Sequence, residues 1–213
     1  MNFDKARHNM VTQQVRPADV INKDVLHAML NIQREEFVPV SQRKLAFADM
    51  ALPIGHDQFM MKPVEEGRLL QALNVQPGHR VLEVGTGSGY LTALLATLTE
   101  HVHSIDIFQD FIQATRQKLS DQGIEEVTLE QADFFDFKAP TKYDHVILTG
   151  SLKAVPEFVF EWLKDGGQVF VIIGEDPVME ARIYTSADKF TSHFDTLVAP
   201  LLQAKHNNHP FNL

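Results

Sequence analysis

The stretch that decides the fold is Val-Leu-Glu-Val-Gly-Thr-Gly-Ser-Gly-Tyr, residues 81–90. A pattern typical of a buried strand runs directly into three alternating glycines, and an apolar helical pattern follows from Tyr90. Glycine tolerates a positive φ and lets a ligand approach the backbone closely. The amino end of the helix beyond offers free N–H groups to a carboxylate or phosphate. This strand–loop–helix unit predicts a site for a nucleotide-like cofactor.

From residue 76 onward, short β-branched runs alternate with helical patterns. The patterns predict strands at residues 81–84, 101–106, 127–131, 144–148 and 168–173, and helices at residues 90–98, 108–122 and 156–163. Strands that alternate with helices imply crossover connections and a parallel sheet. Residues 181–202 resemble two longer strands around a polar turn near Asp188, an antiparallel hairpin at the sheet edge. The expected fold class is therefore α/β, a Rossmann-like sheet that is mostly parallel with an antiparallel edge.

The region before residue 76 has a different character. Apolar residues recur at spacings of three and four between residues 4 and 38, with Asn22 as a plausible N-cap, so we expect an N-terminal helical cap. Residues 45–63 predict an ordered loop with short extended pieces, and residues 65–73 predict a helix. We expect one domain over residues 1–213, in which residues 1–75 form the cap and residues 76–213 the cofactor-binding core and hairpin.

Composition excludes several classes of function. The 213-residue chain carries a net charge of −9 without a stripe of Lys or Arg, so nucleic acid and an anionic membrane surface are poor partners. The absence of cysteine excludes disulfides, a thiol nucleophile and cysteine-ligated metals. The ten histidines are scattered without a paired metal-ligand motif, so no metal is expected. The chain shows no signal peptide and no apolar run of about 18 residues, and we expect a cytoplasmic protein.

The residues around the glycines discriminate between cofactors. A dinucleotide fingerprint would require glycine or alanine where this chain has Tyr90, and a phosphate-binding P-loop would require Gly-Lys-Ser or Gly-Lys-Thr. Glu83, at the end of the strand, would repel a pyrophosphate. The same carboxylate suits S-adenosylmethionine, which carries an ammonium and a sulfonium. The pattern therefore favours S-adenosylmethionine over NAD.

Two further strand ends carry carboxylates. Asp106 lies about twenty positions after Gly85, where it can accept hydrogen bonds from both ribose hydroxyls. Asp133 follows the next strand and could accept from the adenine amino group while Phe134 or Ile107 packs on the ring. The alternative is that both aspartates are ordinary strand-end turn residues. The complete predicted cofactor set is Glu83, Gly85, Thr86, Gly87, Ser88, Gly89, Tyr90, Asp106, Ile107, Asp133 and Phe134.

These residues resemble the class I methyltransferases, and the protein-L-isoaspartate O-methyltransferase family in particular. The closer likeness rests on motifs that occur in order over nearly the whole chain. They are Met-Val at residues 10–11 with a helix after it, Arg-Glu-Glu-Phe-Val-Pro at 34–39, Ala-Phe-Ala-Asp at 46–49, Leu-Pro-Ile-Gly at 52–55, the glycine stretch, Leu-Lys-Asp-Gly-Gly at 163–167 and Ala-Pro-Leu at 199–201.

The resemblance implies a function. Such an enzyme transfers a methyl group from S-adenosylmethionine to the α-carboxylate of an isoaspartyl residue in a protein or peptide, and releases S-adenosylhomocysteine. The ester collapses to a succinimide that can reopen as aspartate, which is protein repair. Because the acceptor carboxylate is already ionised at neutral pH, no general base is needed. The resemblance places the acceptor near Ile54, Gly55, Met61 and Thr149.

The acceptor segment departs from the family pattern. After Leu-Pro-Ile-Gly the family usually continues Gln-Gly-Gln-Thr-Ile-Ser-x-Pro, whereas residues 56–63 are His-Asp-Gln-Phe-Met-Met-Lys-Pro. Met61 replaces the serine, and a thioether cannot donate a hydrogen bond to a carboxylate, a loss of roughly 1.5–3 kcal/mol. One interpretation is an apolar pocket, lined by Met60 and Met61, for another carboxylate acceptor. The other is that both methionines are core and that Thr149 or Ser151 supplies the hydroxyl.

Two more alternatives stay open at this point. The chain could bind S-adenosylmethionine or its demethylated product without catalysing transfer, as a sensor or a partner-binding module. His56, which stands beside the expected acceptor site, could have a functional role or none. The sequence does not indicate an oligomeric state.

Overall fold

The computed structural model describes residues 1–203. Nine strands are present in this part of the chain: β1 Leu52–Gly55, β2 Gln58–Met60, β3 Arg80–Val84, β4 His101–Asp106, β5 Val127–Gln131, β6 Tyr143–Leu152, β7 Leu163–Glu175, β8 Val178–Ser186 and β9 Lys189–Thr196. The α-helices are α1 Phe3–Met10, α2 Lys23–Asn31, α3 Pro63–Leu73, α4 Tyr90–Leu98, α5 Gln109–Asp121 and α6 Phe158–Glu161. The expected α/β class is confirmed.

Seven strands form the main sheet in the order β5-β4-β3-β6-β7-β8-β9. The strands from β5 to β7 are parallel, and β8 and β9 add an antiparallel edge. The chain builds outward in opposite directions from the neighbouring strands β3 and β6. Such a switch leaves a crevice at the carboxyl ends of the strands, where ligands bind in open α/β sheets.

The core lies on both faces of this sheet, because alternate residues of each buried strand point to opposite sides. In β7, Phe170 and Ile172 join the cluster that includes the N-terminal helices, while Val169 and Val171 join the cluster on the other face. The N-terminal helices therefore cover one face and anchor the cap to the sheet.

The cap is helical but interrupted. Helix α1 continues into a π-helical turn, Val11–Val15, and a 3₁₀ turn, Arg16–Ala18, before α2 begins. The Asn22 side chain caps α2 as predicted, accepting hydrogen bonds from the backbone N–H groups of Asp24 and Val25. Among residues 1–203 no helix is long and apolar enough to cross a membrane.

Two predicted boundaries were wrong. The helix expected at residues 156–163 is only α6, four residues long, because Leu163 pairs with Tyr143 and begins β7. The edge hairpin begins at Val178 and ends at Thr196, so residues 197–202 do not extend it. Leu201 instead donates its backbone N–H to the Ser151 carbonyl at 3.0 Å, which brings this last segment to the end of β6.

Candidate active site

The glycine loop after β3 is the tightest part of the site. Gly85 has a φ of 94°, and a Cβ there would lie 2.2 Å from Oγ1 of Thr149. Gly87 has a φ of 51°, and a Cβ there would lie 3.2 Å from Ile54 Cδ1. Only glycine adopts such a backbone at this distance from a neighbouring side chain without strain. The loop therefore exposes its backbone between the end of β6 and the β1–β2 hairpin.

Asp106 stands beside this loop at the end of β4. One carboxylate oxygen accepts a hydrogen bond from the Gly87 backbone N–H at 2.9 Å, and the other accepts from Phe108 N–H at 3.0 Å. Burial raises the pKa of Asp106, while these two backbone donors oppose the rise. The carboxylate is thus fixed in orientation and keeps lone pairs for a pair of ligand hydroxyls.

Glu83 lies under the loop and is fully buried. Its Oε2 accepts hydrogen bonds from the hydroxyls of Thr92 at 2.5 Å and Ser104 at 2.6 Å, and its Oε1 has no partner. Burial raises the pKa of Glu83 to about 7. Because a buried oxygen without a partner is costly, Glu83 is suited to a ligand that brings a cationic donor.

These residues border a cleft of about 440 Å³. Its walls include five acidic residues, namely Glu65, Glu66, Glu83, Asp106 and Asp176. Of the described residues that line it, none is Lys, Arg or His. The chemistry of this lining favours a ligand with positive charge over a phosphate or pyrophosphate.

The β1–β2 hairpin forms the opposite wall. Its tip is held over the start of α5 by His56, whose ring stacks on Phe108 with centroids 4.0 Å apart. The His56 Nε2 also lies 2.8 Å from Asp110 Oδ2. Met60, the last residue of β2, and Met61, which follows it, border the cleft and are largely buried. This wall is therefore apolar, and it is attached to the segment that follows Asp106.

The Thr149 and Ser151 hydroxyls are the candidate replacements for the serine hydroxyl of the family pattern, but the Thr149 hydroxyl already donates to the protein backbone. Thr149 Oγ1 donates toward the carbonyl oxygens of Val84 and Gly85, both at 2.9 Å. Ser151 is buried and does not border the cleft; its backbone N–H donates to the Ala199 carbonyl at 3.0 Å. These contacts disfavour the interpretation in which either residue replaces the serine hydroxyl of the family pattern.

Most of the predicted site residues lie together. The cleft is bordered by Ile54, Met61, Glu83, Gly85, Thr86, Gly87, Ser88, Asp106, Ile107, Phe134 and Thr149. These residues come from the hairpin wall, the loop and the strand ends. One cavity thus contains both predicted parts of the site. We call Glu83, residues 85–88, Asp106, Ile107 and Phe134 the cofactor half, and the hairpin wall with Ile54, Met60 and Met61 the acceptor half.

Four predicted residues lie away from the cleft. Gly55 and Gly89 belong to its supporting turns, and Tyr90 is fully buried with its ring 4.6 Å from the Arg34 guanidinium carbon. Asp133 borders a separate shallow pocket, and its carboxylate accepts from the Phe135 backbone N–H at 2.9 Å. Direct roles for these four residues in binding stay predictions.

Several residues of the cleft were missed by sequence reasoning. Leu197 and residues 198–202 close one side of it, and Glu65 and Glu66 of α3 form part of its floor. The Ala-Pro-Leu motif within that closing segment contributed to the resemblance, but a motif does not show which strand end it approaches. Glu65 and Glu66 come directly after the acceptor segment in the sequence, and this proximity was the one signal that could have placed them at the cleft.

A glycine loop that leads into a helix, a carboxylate at the next strand end and a cleft at the switch between β3 and β6 define the class I methyltransferases. The family profile of protein-L-isoaspartate(D-aspartate) O-methyltransferase matches residues 5–196. The chain therefore belongs to this family.

Relatives support the assignment along most of the chain. The protein-L-isoaspartate O-methyltransferase of Opitutus terrae is 35% identical over 177 residues, which cover 81% of this chain and 76% of the relative. The Petrotoga mobilis enzyme of the same name is 35% identical over 176 residues, with coverage of 82% and 83%.

Solved structures show the same fold. A Plasmodium falciparum protein, crystallised with S-adenosyl-L-homocysteine, superposes with a TM-score of 0.79 at 19% identity, covering 95% of this chain and 99% of the other. A second structure, of a protein-L-isoaspartate O-methyltransferase, gives a TM-score of 0.78 at 23% identity, covering 91% and 65%.

Proposed function

We propose that this protein is an S-adenosylmethionine-dependent O-methyltransferase that methylates the α-carboxylate of isoaspartyl residues in proteins and peptides. The observation that carries the proposal is the pairing of two buried carboxylates, Glu83 and Asp106, around the glycine loop in a cleft without basic lining residues in the described chain. Family membership supplies the acceptor class, and the geometry supplies the site.

The residues present fit S-adenosylmethionine. The partnerless Oε1 of Glu83 suits its ammonium, and the Asp106 carboxylate suits its two ribose hydroxyls. Phe134 and Ile107 border the cleft where an adenine ring would pack. When bound, S-adenosylmethionine supplies a methyl carbon activated by the sulfonium sulfur and leaves as S-adenosylhomocysteine.

The acceptor carboxylate needs no base, because it is ionised at neutral pH. With the methyl donor bound, one acceptor oxygen would take the methyl group, and the electrons of the broken carbon–sulfur bond would remain on sulfur. The task of the protein is then to align oxygen, carbon and sulfur and to exclude water. Ile54, Met60 and Met61 provide the apolar wall for this alignment.

The acidic lining also implies an order of binding. Glu65 and Glu66 are paired with Lys62 and Arg34, but a carboxylate acceptor that enters the cleft still meets the like charges of Asp106 and Asp176. The positive charge of a bound methyl donor offsets this repulsion. We therefore expect the isoaspartyl acceptor to bind after the methyl donor.

The test is methyl transfer from labelled S-adenosylmethionine to an isoaspartyl peptide, beside the matching aspartyl peptide and a reaction without peptide. We expect base-labile labelling of the isoaspartyl peptide alone. Binding of S-adenosylhomocysteine by calorimetry, measured on the same preparation, shows whether the cofactor half is intact. Cofactor binding without labelling of the isoaspartyl peptide would contradict the proposed acceptor.

A second candidate shares the cofactor but not the acceptor. Met61 carries no hydrogen-bond donor and the Thr149 hydroxyl proton is directed to backbone oxygens, which favours a carboxylate acceptor with an apolar neighbourhood. A sensor that binds the cofactor without transfer is the non-catalytic form of this alternative. An action in the cytoplasm, a single domain over residues 1–213 and the exclusion of nucleic acid and membrane partners stay predictions.

A further inference from the structure

Residues 34–37, which we call the connecting segment, lie between the two halves of the cleft, and all of them except Glu36 are buried. The side chains at both ends of the segment, Arg34 and Phe37, have no exposed surface. A fully buried arginine is uncommon, because its charge loses hydration and must be offset by several acceptors. The contacts of this segment therefore indicate what it is built to hold.

Arg34 reaches the acceptor half. Its Nη2 donates to the Met61 carbonyl at 2.5 Å and its Nε to the Ala46 carbonyl at 2.8 Å. Its Nη1 forms an ion pair with Glu66, which borders the cleft. The guanidinium also lies over the ring of Tyr90. One side chain thus fixes the acceptor segment and touches the first residue of α4.

Lys118 joins the other end of the connecting segment to the cofactor half. Its Nζ donates to the Phe37 carbonyl at 3.2 Å and to the carbonyl of Ser88, in the glycine loop, at 3.0 Å. The ammonium also lies 5.8 Å from the centroid of the Phe37 ring. Burial lowers the pKa of Lys118 to about 8. Removing an ammonium from water is costly unless it is hydrogen-bonded, and the Phe37 and Ser88 carbonyls offset part of this cost.

The connection between these two side chains is continuous. The Phe37 ring packs edge-on against Tyr90 with centroids 5.5 Å apart, and Tyr90 in turn lies beneath Arg34. Met61, Arg34, Tyr90, Phe37 and Lys118 therefore form a chain of direct contacts that ends at Ser88. Neither Arg34 nor Lys118 borders the cleft itself.

We propose that Arg34 and Lys118 are positioning residues that hold the two halves of the cleft on one buried segment. Lys118 fixes the position of the glycine loop by its hydrogen bond to the Ser88 carbonyl. Arg34 fixes the position of the acceptor wall by its hydrogen bond to the Met61 carbonyl. A local positioning role predicts that each variant disturbs its own half of the cleft and leaves the other half intact.

The cofactor half is tested with Lys118→Met, which keeps the apolar stem and removes both hydrogen bonds. We expect S-adenosylhomocysteine to bind about five- to tenfold more weakly by calorimetry, because the loop carbonyl loses a charged donor. Hydrogen exchange should accelerate in residues 81–90 and stay unchanged in residues 58–63. The control is Lys164→Met, since Lys164 pairs with Asp144 away from the cleft. Unchanged affinity and exchange in Lys118→Met would overturn this half of the proposal.

The acceptor half is tested with Arg34→Lys, which keeps the charge but cannot reach three acceptors at once. Hydrogen exchange should accelerate in residues 58–63, while S-adenosylhomocysteine affinity changes by less than about twofold. Arg182→Lys is the control: Arg182 is partly buried, and its partners Glu180, Tyr184 and Phe190 all lie in β8 and β9, away from the connecting segment. Faster exchange in both halves for Arg34→Lys, or an equal response of Arg182→Lys, would show a general structural role and overturn the proposal.

A kinetic readout rests on the proposed function. With isoaspartyl peptide and saturating methyl donor, Arg34→Lys should raise the KM for peptide about fivefold with kcat changed less, the pattern of a lost positioning contact. An inactive wild-type protein would count against the proposed acceptor alone, because the exchange and calorimetric results decide the positioning roles without turnover.

Discussion

The two halves of the cleft are built from different materials. The cofactor half consists of backbone and buried carboxylates: the glycine loop borders the cleft, and Glu83 and Asp106 are oriented by hydrogen bonds to named donors. The acceptor half consists of apolar side chains on and beside a short hairpin, among them Ile54, Met60 and Met61. Both halves lie on the connecting segment at residues 34–37.

This difference in construction separates cofactor binding, which is common to the reaction class, from acceptor choice, which is particular to this chain. A site made of backbone geometry and fixed carboxylates tolerates few changes, because a Cβ or a lost charge acts directly on the ligand. A wall of flexible apolar side chains can change its acceptor with little cost to the fold. The cofactor half therefore identifies the reaction class, and the acceptor half determines which acceptor is used.

The largest expected effect comes from the glycine loop. Gly85→Ala places a methyl group against Thr149 at a φ that disfavours alanine. Strain and displacement on the order of 3 kcal/mol should weaken S-adenosylhomocysteine binding about 100-fold, measured by calorimetry. Gly78→Ala is the matched control, since nothing lies within 4 Å of its added Cβ. Equal affinity of Gly85→Ala and the wild-type protein would contradict the claim that cofactor binding depends on the backbone geometry of the glycine loop.

A smaller loss is expected from Asp106→Asn. The substitution keeps the shape and one acceptor oxygen but removes the charge from the group that faces the ribose hydroxyls. We expect cofactor affinity to fall about 10- to 30-fold, in line with the loss of a charge-assisted hydrogen bond. Asp110→Asn, at an exposed neighbour that contacts His56, should bind the cofactor normally. If the two variants behave alike, Asp106 is a turn residue.

The pH dependence of cofactor binding sharpens the role of Glu83. Burial raises its pKa to about 7, so the carboxyl is mostly protonated at pH 6 and mostly ionised at pH 8. A ligand ammonium binds the ionised form, so affinity for S-adenosylhomocysteine should increase about tenfold across this range. Calorimetry on Glu83→Gln should show a flat profile. A wild-type affinity that falls as the pH rises would contradict the assignment.

The raised pKa of Glu83 also makes the stability of the ligand-free protein depend on pH. Because the folded-state pKa of Glu83 is raised, its protonated form stabilises the fold fully below the unfolded pKa near 4.5. This contribution is lost as the pH rises through about 7. Saturating S-adenosylhomocysteine should remove the loss, since it supplies a partner to the ionised carboxylate.

The acceptor half should respond to change in the opposite direction. Met61→Ser restores a hydroxyl donor in the wall, so the KM for an isoaspartyl peptide should fall about fivefold while cofactor affinity stays the same. Met50→Ser, at an exposed methionine outside the cleft, serves as control. An increased KM for Met61→Ser would show that the native acceptor requires the apolar wall.

Much of the cofactor half could be predicted from the sequence, because its signals are local. The strands His101–Asp106 and Val127–Gln131 and the helix Tyr90–Leu98 have the predicted bounds. The helix is a continuous, mostly apolar run, and each strand carries β-branched residues between turn residues. The glycine loop and the strand-end carboxylates follow from these elements, since parallel strands place their carboxyl ends at one edge of the sheet.

The rest depends on contacts between residues that are far apart in the chain. Nothing local shows that Leu163 pairs with Tyr143 rather than ending a helix, or that residues 197–202 return to Ser151. The link from Lys118 to Phe37 and Ser88 spans three elements, and a lysine on an amphipathic helix is normally a solvent-exposed residue. Long-range placement of this kind requires the folded structure.

The most direct test of the account is to locate the transferred methyl group. An isoaspartyl peptide incubated with the wild-type protein and S-adenosylmethionine should carry a single methyl ester on the isoaspartyl α-carboxylate, assigned by tandem mass spectrometry. The ester should convert to a succinimide at mildly alkaline pH, and the aspartyl peptide should stay unmodified. Methylation at another group, or equal methylation of both peptides, would contradict the account.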